Sequence, residues 1–406
     1  MKASARICLI ALILLLPRLA LAQSEPAAGS CAPHVAQWLD PSSGETISSE
    51  NLFERLSETR IVLLGEAHTA TAHHRWQLYM LAALHSRNAN LMLGFEMLPR
   101  RAQSVLDAWS AGEITQAEFL EQSDWREVWG YDPELYLPLL HFARLNRLPT
   151  LALNIDRELV ARVGQEGWDG IEAEQRLGLS DPAPASEAYR ESLAQLFAYK
   201  RTFSKAASEH DGDDPPSVVE IRDSDAFANF VDAQLTWDRA MAEALAAGHR
   251  RDPKALLVGI IGRGHLEYGY GIPHQLADMG IEDVDVLLPL DSRDDCDPLP
   301  LDLATAVFVL DAAAEQAPAA RPQLGILIED GADGVRVMRV VDDSVAAASG
   351  IRKGDEILVA AGFDTATTSE LIAVIQRQAP GTWLPLKLKR DDKTIEIIAR
   401  FPQSFE

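Results

Sequence analysis

The chain contains short runs of Leu, Ile and Val that lack polar alternation and end in a glycine-containing turn. Residues 61–64 and 255–261 are two such runs. They are typical of strands buried on both faces of a parallel sheet, because helices cover both sides of such a sheet. Gly65, Gly262 and Gly264 permit the backbone conformations that a sharp exit from a strand requires. This feature favours an α/β fold with its chemistry at the carboxyl ends of the strands.

Strand and helix patterns alternate over most of the first 290 residues. Strands are predicted at 60–64, 90–96, 150–154, 255–261 and 284–288, and helices at 72–86, 101–109, 134–146, 156–163 and 273–279. The alternation predicts an α/β domain with a mostly parallel sheet flanked by helices. Two amphipathic stretches, 187–204 and 224–246, predict a helical insertion around the acidic segment 209–216, which could act as a lid or a dimerisation hairpin.

Four residues with acid or imidazole side chains lie at or just beyond predicted strand ends: Glu66, His68, Glu96 and His265. The carboxyl ends of neighbouring parallel strands meet at one edge of a sheet, so we expect these side chains to converge. Imidazoles and carboxylates suit zinc, manganese or iron, and a bound metal can activate water for hydrolysis. Without a metal, a histidine beside a glutamate can act as a general base. A lone strand-end histidine more often satisfies a loop, but two of them with two glutamates favour a functional cluster.

The amino-terminal residues predict export. Lys2 and Arg6 precede an apolar run at 7–16, and small residues at 20–22 supply a cleavage site. Residues 1–22 are therefore predicted to be a secretory signal peptide. The apolar run is too short and too soon interrupted to predict a membrane span.

Residues 23–49 predict a lead-in segment that contains Cys31. The residues before Cys31 only faintly imitate a lipidation site, so we expect a periplasmic or secreted protein rather than a lipid-anchored one. Cys31 and Cys296 would meet an oxidising compartment, where they either form a disulfide or remain two unpaired thiols. The formal net charge of −24 argues against nucleic-acid binding, which needs clustered Lys and Arg.

The composition changes after residue 290. Residues 291–320 mix Asp, Pro and Ala around one apolar patch at 307–310 and predict a linker with one helix. Beyond it, the segments that carry a resemblance are 324–327, 335–341, 344–358, 369–376, 380–381 and 384–388. They resemble a PDZ domain of the bacterial protease type, which we place at 321–403. One departure is Val345, where relatives commonly carry Pro.

The segment Leu324, Gly325 and Ile326 is predicted to bind a peptide. Its backbone N–H groups would hold the C-terminal carboxylate of a protein partner, while the adjacent strand edge pairs with the incoming chain. The alternative is a PDZ domain that packs on its own neighbour and binds nothing in trans.

Five motifs in the first part of the chain carry a second resemblance. They are Gly-Glu-Ala-His-Thr at 65–69, Phe-Glu-Met at 95–97, residues 233–238 with Met241, Gly-Arg-Gly-His at 262–265, and residues 268–273. Together they resemble the ChaN-like haem-binding uptake family, whose wider group includes the erythromycin esterases and the TIKI metalloproteases. The resemblance covers 50–290. Each motif is weakly specific, but the ordered set is much more so.

The resemblance implies haem as the cofactor, held at or near a subunit interface of a homodimer, with tyrosine as an axial ligand. A haem site needs an apolar slot, an axial ligand and cations for the propionates. The candidate haem-binding residues are His68, Arg263, His265, Tyr268, Tyr199 and Tyr189, with Tyr270 and His210 as further candidates for the axial position. Tyrosines at helical spacing are also typical of core packing. Arg263 either binds a carboxylate or propionate or forms a surface ion pair.

Three functional hypotheses follow. The leading one is an exported haem-binding protein for haem or iron handling, with a PDZ domain that binds a protein C-terminus. The alternative is a metal-dependent hydrolase or protease of the TIKI or erythromycin-esterase type, in which Glu66, His68, Glu96 and His265 are catalytic and hold the metal. The third is a scaffold whose ancestral site is inactive.

Overall fold

The structure, a computed structural model, describes residues 35–207, 221–292, 299–311, 322–391 and 393–403. The chain divides into two compact units, Met1–Glu315 and Gln316–Glu406, called here the first and the second unit. The predicted signal peptide, the cysteine pair, His210 and the acidic segment 209–216 lie outside the described residues. No helix in the described ranges is long and apolar enough to cross a membrane.

One sheet forms the centre of the first unit. Its strands are β1 (Trp38–Leu39), β2 (Thr46–Ile47), β3 (Ile61–Glu66), β4 (Leu91–Pro99), β5 (Thr150–Asn154), β6 (Leu256–Gly262), β7 (Val284–Asp291) and β8 (Ala306–Leu310). Their order is β2-β1-β8-β7-β3-β6-β4-β5. The pairs from β8 to β5 are parallel, and only β1 pairs antiparallel with its neighbours. The predicted mostly parallel sheet is confirmed.

Helices cover both faces of this sheet. They are α1 (Ser49–Glu58), α2 (Thr71–His85), α3 (Gln103–Ala111), α4 (Gln116–Gln122), α5 (Trp125–Val128), α6 (Leu137–Asn146), α7 (Arg157–Glu166), α8 (Glu187–Ala207), α9 (Asp225–Arg251) and α10 (Ile272–Asp278). Successive side chains of a strand point to opposite faces. Val62 and Leu64 accordingly pack in one apolar core, and Ile61 and Leu63 in another. The absence of alternation in these runs thus reflects burial on both faces.

Two segments differ from the sequence predictions. Residues 306–310, predicted to be part of a linker with a helix, form β8 and pair with β7. The run Val307-Phe308-Val309 has the β-branched and aromatic residues that pack well in a sheet, and this preference prevails over the Ala-rich, helix-favouring surroundings. The predicted lead-in segment also contributes β1 and β2 to the sheet.

The side-chain amide of Gln103 covers the edge of the sheet at β5. Its Nε2 donates to the carbonyl of Thr150 at 2.9 Å, and its Oε1 accepts from the N–H of Ala152 at 2.8 Å. The amide thus satisfies two backbone groups of the edge strand that would otherwise be buried without this partner.

The predicted helical insertion consists of α8 and the first part of α9. Tyr189 and Leu193 of α8 pack against Phe227 and Val231 of α9 in an apolar cluster of their own. The side chain of Ser224 accepts a hydrogen bond from the N–H of Phe227 and caps the start of α9.

The second unit is an antiparallel sheet with two helices. Its strands are β9 (Ile326–Asp330), β10 (Val335–Val340), β11 (Glu356–Ala360), β12 (Phe363–Asp364), β13 (Trp383–Arg390) and β14 (Lys393–Arg400), and its helices are α11 (Val345–Ala348) and α12 (Thr368–Gln376). The main strand order is β14-β13-β11-β10-β9. Leu324, Val337 and Ile357 lie in its buried core.

Candidate functional site

The site lies at the carboxyl ends of β3, β4 and β6, which are adjacent in the sheet. Glu66 is the last residue of β3, and Glu96 lies near the end of β4. His265 follows β6 in a short helical turn, and His68 follows β3. The structure therefore brings the four predicted residues to one crevice, where they form two groups of polar contacts.

Glu66 is the centre of the first group. Its Oε1 accepts hydrogen bonds from Nδ1 of His68 at 2.9 Å and from the hydroxyl of Tyr136 at 2.7 Å. Its Oε2 lies 3.1 Å from Nδ1 of His74. Burial favours the neutral acid, but these polar contacts outweigh it and lower the pKa of Glu66 to about 2. The carboxylate is thus held ionised inside the protein.

His74 carries the balancing charge. Its Nδ1 faces Glu66 and the side-chain oxygen of Gln77, and its Nε2 lies 3.1 Å from the carbonyl of His68. Both ring nitrogens therefore face oxygen atoms, an arrangement that only the doubly protonated imidazolium can satisfy. Burial opposes this charge, but the contacts with Glu66 raise the pKa of His74.

His68 is the half-exposed member of the first group. Its ring contacts Trp129 edge-on at 4.8 Å between centroids and lies 5.1 Å from Tyr131. A Cβ at Gly262 would lie only 2.6 Å from Cε1 of His68, so glycine is required where the ring crosses the end of β6. With Nδ1 bound to Glu66, Nε2 has no hydrogen-bond partner among the described residues. The imidazole is thus fixed in orientation and keeps one nitrogen available.

His265 is the centre of the second group. Its Nδ1 contacts Oδ1 of Asp238 at 2.6 Å, and its Nε2 lies 3.7 Å from Oε1 of Glu96. Oδ2 of Asp238 accepts a hydrogen bond from the hydroxyl of Tyr189 at 2.9 Å. Burial disfavours the imidazolium, but Asp238 and Glu96 raise the pKa of His265.

Glu96 is fully enclosed and links the two groups. Its Oε2 accepts the N–H of Gly262 at 2.5 Å, and its backbone carbonyl accepts from Asn154 at 2.8 Å. Burial raises the pKa of Glu96, although His265 and His68 counteract this effect. A depressed carboxyl pKa at Glu66 and an elevated one at Glu96 within one crevice is the type of separation that acid–base sites use.

Three members of these groups were not among the predicted site residues: His74, Tyr136 and Asp238. His74 has a weak signal in the sequence: it stands beside His73 on α2, and because adjacent helix residues point about 100° apart, one of the two can face the crevice. Asp238 lies within the motif at 233–238 but in the middle of α9, away from any strand end. Tyr136 belongs to an aromatic-rich stretch, and nothing in that stretch indicates the partner of the Tyr136 hydroxyl.

The remaining candidates differ in their surroundings. Nε of Arg263 donates to Glu267 at 2.5 Å, so the ion-pair alternative describes its contact in the structure. Tyr268, at φ 58°, stacks on Tyr270 at 5.2 Å between centroids. Tyr199, on α8, is 62% exposed. In the described part of the chain, no group of three or more His, Cys, Asp or Glu side chains is arranged to hold a metal ion.

A family model described as haem-binding uptake, Tiki superfamily, ChaN, matches residues 52–276, which is 225 of the 406 residues. The chain belongs to this family. A PDZ-domain model matches residues 322–399, and the second unit is called the PDZ domain below. Among curated proteins, none matches the chain.

Solved structures include one of ChaN of Campylobacter jejuni that concerns cofacial haem binding. It is 19% identical, the match covers 67% of this chain and 95% of that chain, and the TM-score is 0.50. This likeness shows the fold alone. A serine endoprotease from Yersinia pestis matches at 27% identity over 21% of this chain and 30% of that chain, with a TM-score of 0.19. An erythromycin esterase variant in its open conformation matches at 14% identity over 63% of this chain and 77% of that chain, with a TM-score of 0.36.

Proposed function

We propose that the protein is an exported haem-binding protein that serves haem or iron handling and recruits a partner through its PDZ domain. Membership of the ChaN family and the cofacial haem binding of the Campylobacter jejuni protein support the haem part. The observation that carries the proposal is a surface of α8 that offers each of the three elements of a haem site. We call it the α8 surface: Leu196, Tyr199 and Lys200.

The α8 surface combines apolar area with a cation. Leu196 and Tyr199 are spaced for one face of the helix and are 39% and 62% exposed. Nζ of Lys200 lies 5.1 Å from the ring centre of Phe230, and partial burial lowers the pKa of Lys200. An anion beside this ammonium would offset its partial loss of hydration. Lys200 therefore suits a propionate of haem, and the residues present fit the group.

Tyr199 is the best candidate for the axial ligand among the tyrosines. Iron ligation requires a phenolate, and burial together with Asp238 raises the pKa of Tyr189, whose hydroxyl already donates to Asp238. Burial and Glu267 also raise the pKa of Tyr268. Tyr199 is 62% exposed and precedes the cation Lys200 in the chain. When bound, haem would supply a Lewis-acidic, redox-active iron at this surface.

Helix α8 contacts the crevice, because the hydroxyl of Tyr189 donates to Oδ2 of Asp238 at 2.9 Å. The charge of Lys200 also counteracts the rise in the pKa of His265. Two copies that face each other through the α8 surface would cover its exposed apolar area. We therefore include in the proposal a homodimer that forms when haem is bound.

Haemin titration tests the haem part. The protein is expected to give a shifted Soret band, and Tyr199→Phe is expected to weaken binding at least about tenfold, or roughly 1.4 kcal/mol. Tyr79→Phe is the matched control, because Tyr79 is an exposed tyrosine on α2. His68→Ala tests the crevice instead. A Soret shift that depends on His68 and not on Tyr199 would move the site to the crevice, and no specific Soret shift would refute haem binding.

Sedimentation velocity and cell fractionation test the other parts. Haemin is expected to convert the protein to a dimer, and Leu196→Asp is expected to prevent this conversion. The mature protein recovered from the periplasm or the medium is expected to begin near residue 23. A peptide with a free C-terminus should bind the PDZ domain, and binding that survives amidation of that terminus would contradict the carboxylate role of Leu324, Gly325 and Ile326.

A further inference from the structure

The edge of the PDZ sheet sets the direction of a bound peptide. Among the described strands, β9 is an edge strand, and α12 packs beside it. The N–H of Thr368, at the start of α12, donates to Oδ1 of Asp330 at the end of β9, at 2.7 Å. Gly325, with φ 77°, lies at the opposite end of the groove between β9 and α12. A peptide whose carboxylate is held at Gly325 must therefore extend towards Asp330, antiparallel to β9.

This direction fixes which β9 residue faces each peptide residue. In an antiparallel pair, directly opposite residues lie on the same face of the sheet. With the last peptide residue opposite Ile326, the penultimate residue lies opposite Leu327, the third from the end opposite Ile328, and the fourth from the end opposite Glu329. Ile326 and Ile328 pack against the PDZ core, so the last and third residues face the groove.

The other two peptide residues face the outer surface of the sheet. Leu327 is 57% exposed there, a large apolar side chain on an edge strand. The exposed Arg339 lies directly opposite Leu327 on β10, and Met338 in the bulge of β10 is 36% exposed. The residue next on this face of β9 is Glu329, which lies 3.8 Å from Arg336 across the strand pair, with both side chains about half exposed. Such an exposed ion pair is weak and readily rearranges.

We propose that the PDZ domain selects tails with an apolar penultimate residue and a basic residue fourth from the end. This proposal rests on the proposed binding of protein C-termini. Cross-strand contact with Leu327 would shield its exposed side chain and the apolar peptide residue from water. A lysine or arginine opposite Glu329 would share that carboxylate with Arg336. The partner is thus a tail that carries an apolar and a basic residue at these two positions.

A peptide series on the full protein tests this selection by fluorescence polarisation. The series keeps valine as the last residue and changes the penultimate residue from leucine to serine, and the fourth from lysine to glutamate. Each unfavourable change is expected to weaken binding roughly 2- to 5-fold, the range of a single cross-strand contact. Equal binding across the series would overturn the proposal even without any variant.

Two variants assign the selection to their residues. Leu327→Ala is expected to remove the preference for leucine while the serine peptide still binds. The control is Ile398→Ala, at an exposed apolar residue of β14, which is expected to keep the preference for leucine. Glu329→Lys is expected to reverse the preference at the fourth residue, with Glu396→Lys on β14 as its control. A preference that persists in Leu327→Ala overturns the assignment. If no free C-terminus binds at all, the underlying peptide function itself fails.

Discussion

Replacement of Glu66 by glutamine should remove a large pH-dependent contribution to the folding free energy of the first unit. Glutamine keeps the shape of the side chain but removes the charge that His68, His74 and Tyr136 contact. The carboxyl lies at 2% exposure, so solvent hardly screens its partners. Loss of the charge also leaves the imidazolium of His74 buried beside a neutral group, which is costly.

The magnitude follows from the pKa of Glu66. A fall from the ordinary 4.5 to about 2 corresponds to about 3 kcal/mol of folding free energy. Because the folded-state pKa is the lower one, this stabilisation is fully present above pH 4.5 and is lost as the pH falls through about 2. We therefore expect the variant to be about 3 kcal/mol less stable than the wild type at pH 7, and only about half as much at pH 3.

Urea unfolding followed by tryptophan fluorescence measures the difference. Trp383 is the only one of the eight tryptophans beyond residue 315, so the signal reports mainly the first unit. Glu158→Gln, an exposed carboxylate on α7, is the control and should change stability little at either pH. A cost for Glu66→Gln below about 1 kcal/mol at pH 7, or the same cost at both pH values, would refute an ionised, internally paired Glu66.

Two further substitutions test the geometry of the crevice. Gly262→Ala should displace the ring of His68, since a Cβ there would lie 2.6 Å from Cε1. We expect the free energy of unfolding to fall by about 1–3 kcal/mol and the His68 resonances to shift in NMR spectra. Gly264→Ala is the control and should be tolerated, because a Cβ there would have no atom within 4 Å. Asp238→Asn should lower the pKa of His265 in an NMR titration. Since that pKa is raised in the folded protein, the stability it contributes is present below pH 6.5 and declines as the pH rises through the folded value, and the variant should lack this decline. An unchanged His265 titration would contradict the role of Asp238.

The sequence rules worked where burial and strand ends dominate. Unbroken apolar runs predicted β3 and β6 because a strand covered on both faces has no reason to alternate. The sharp exit predicted at Gly65 and Gly262 lies later in the chain, because β3 continues through Gly65 to Glu66 and β6 includes Gly262, and neither glycine has a positive φ. These signals are local, because each depends only on residues adjacent in the chain.

The partners of these residues depend on tertiary packing and have no such local signal. Asp238 lies in mid-helix, and it reaches His265 only because α9 crosses the strand ends. Tyr136 reaches Glu66 from a segment 70 positions away in the chain. Likewise β8 is a strand because β7 and β1 lie beside it, although its surroundings in sequence favour a linker.

The amide of Gln103 at β5 has a consequence for how copies of the chain can meet. An open edge of a parallel sheet invites another chain to add a strand, which leads to swapped or fibrous aggregates. Gln103 occupies the donor and acceptor of Thr150 and Ala152 as a neighbouring strand would. Growth of the sheet from this edge is therefore blocked by α3, which packs on β5, together with the amide that it positions. Replacement of Gln103 by leucine would keep the bulk but leave two buried backbone groups without this partner.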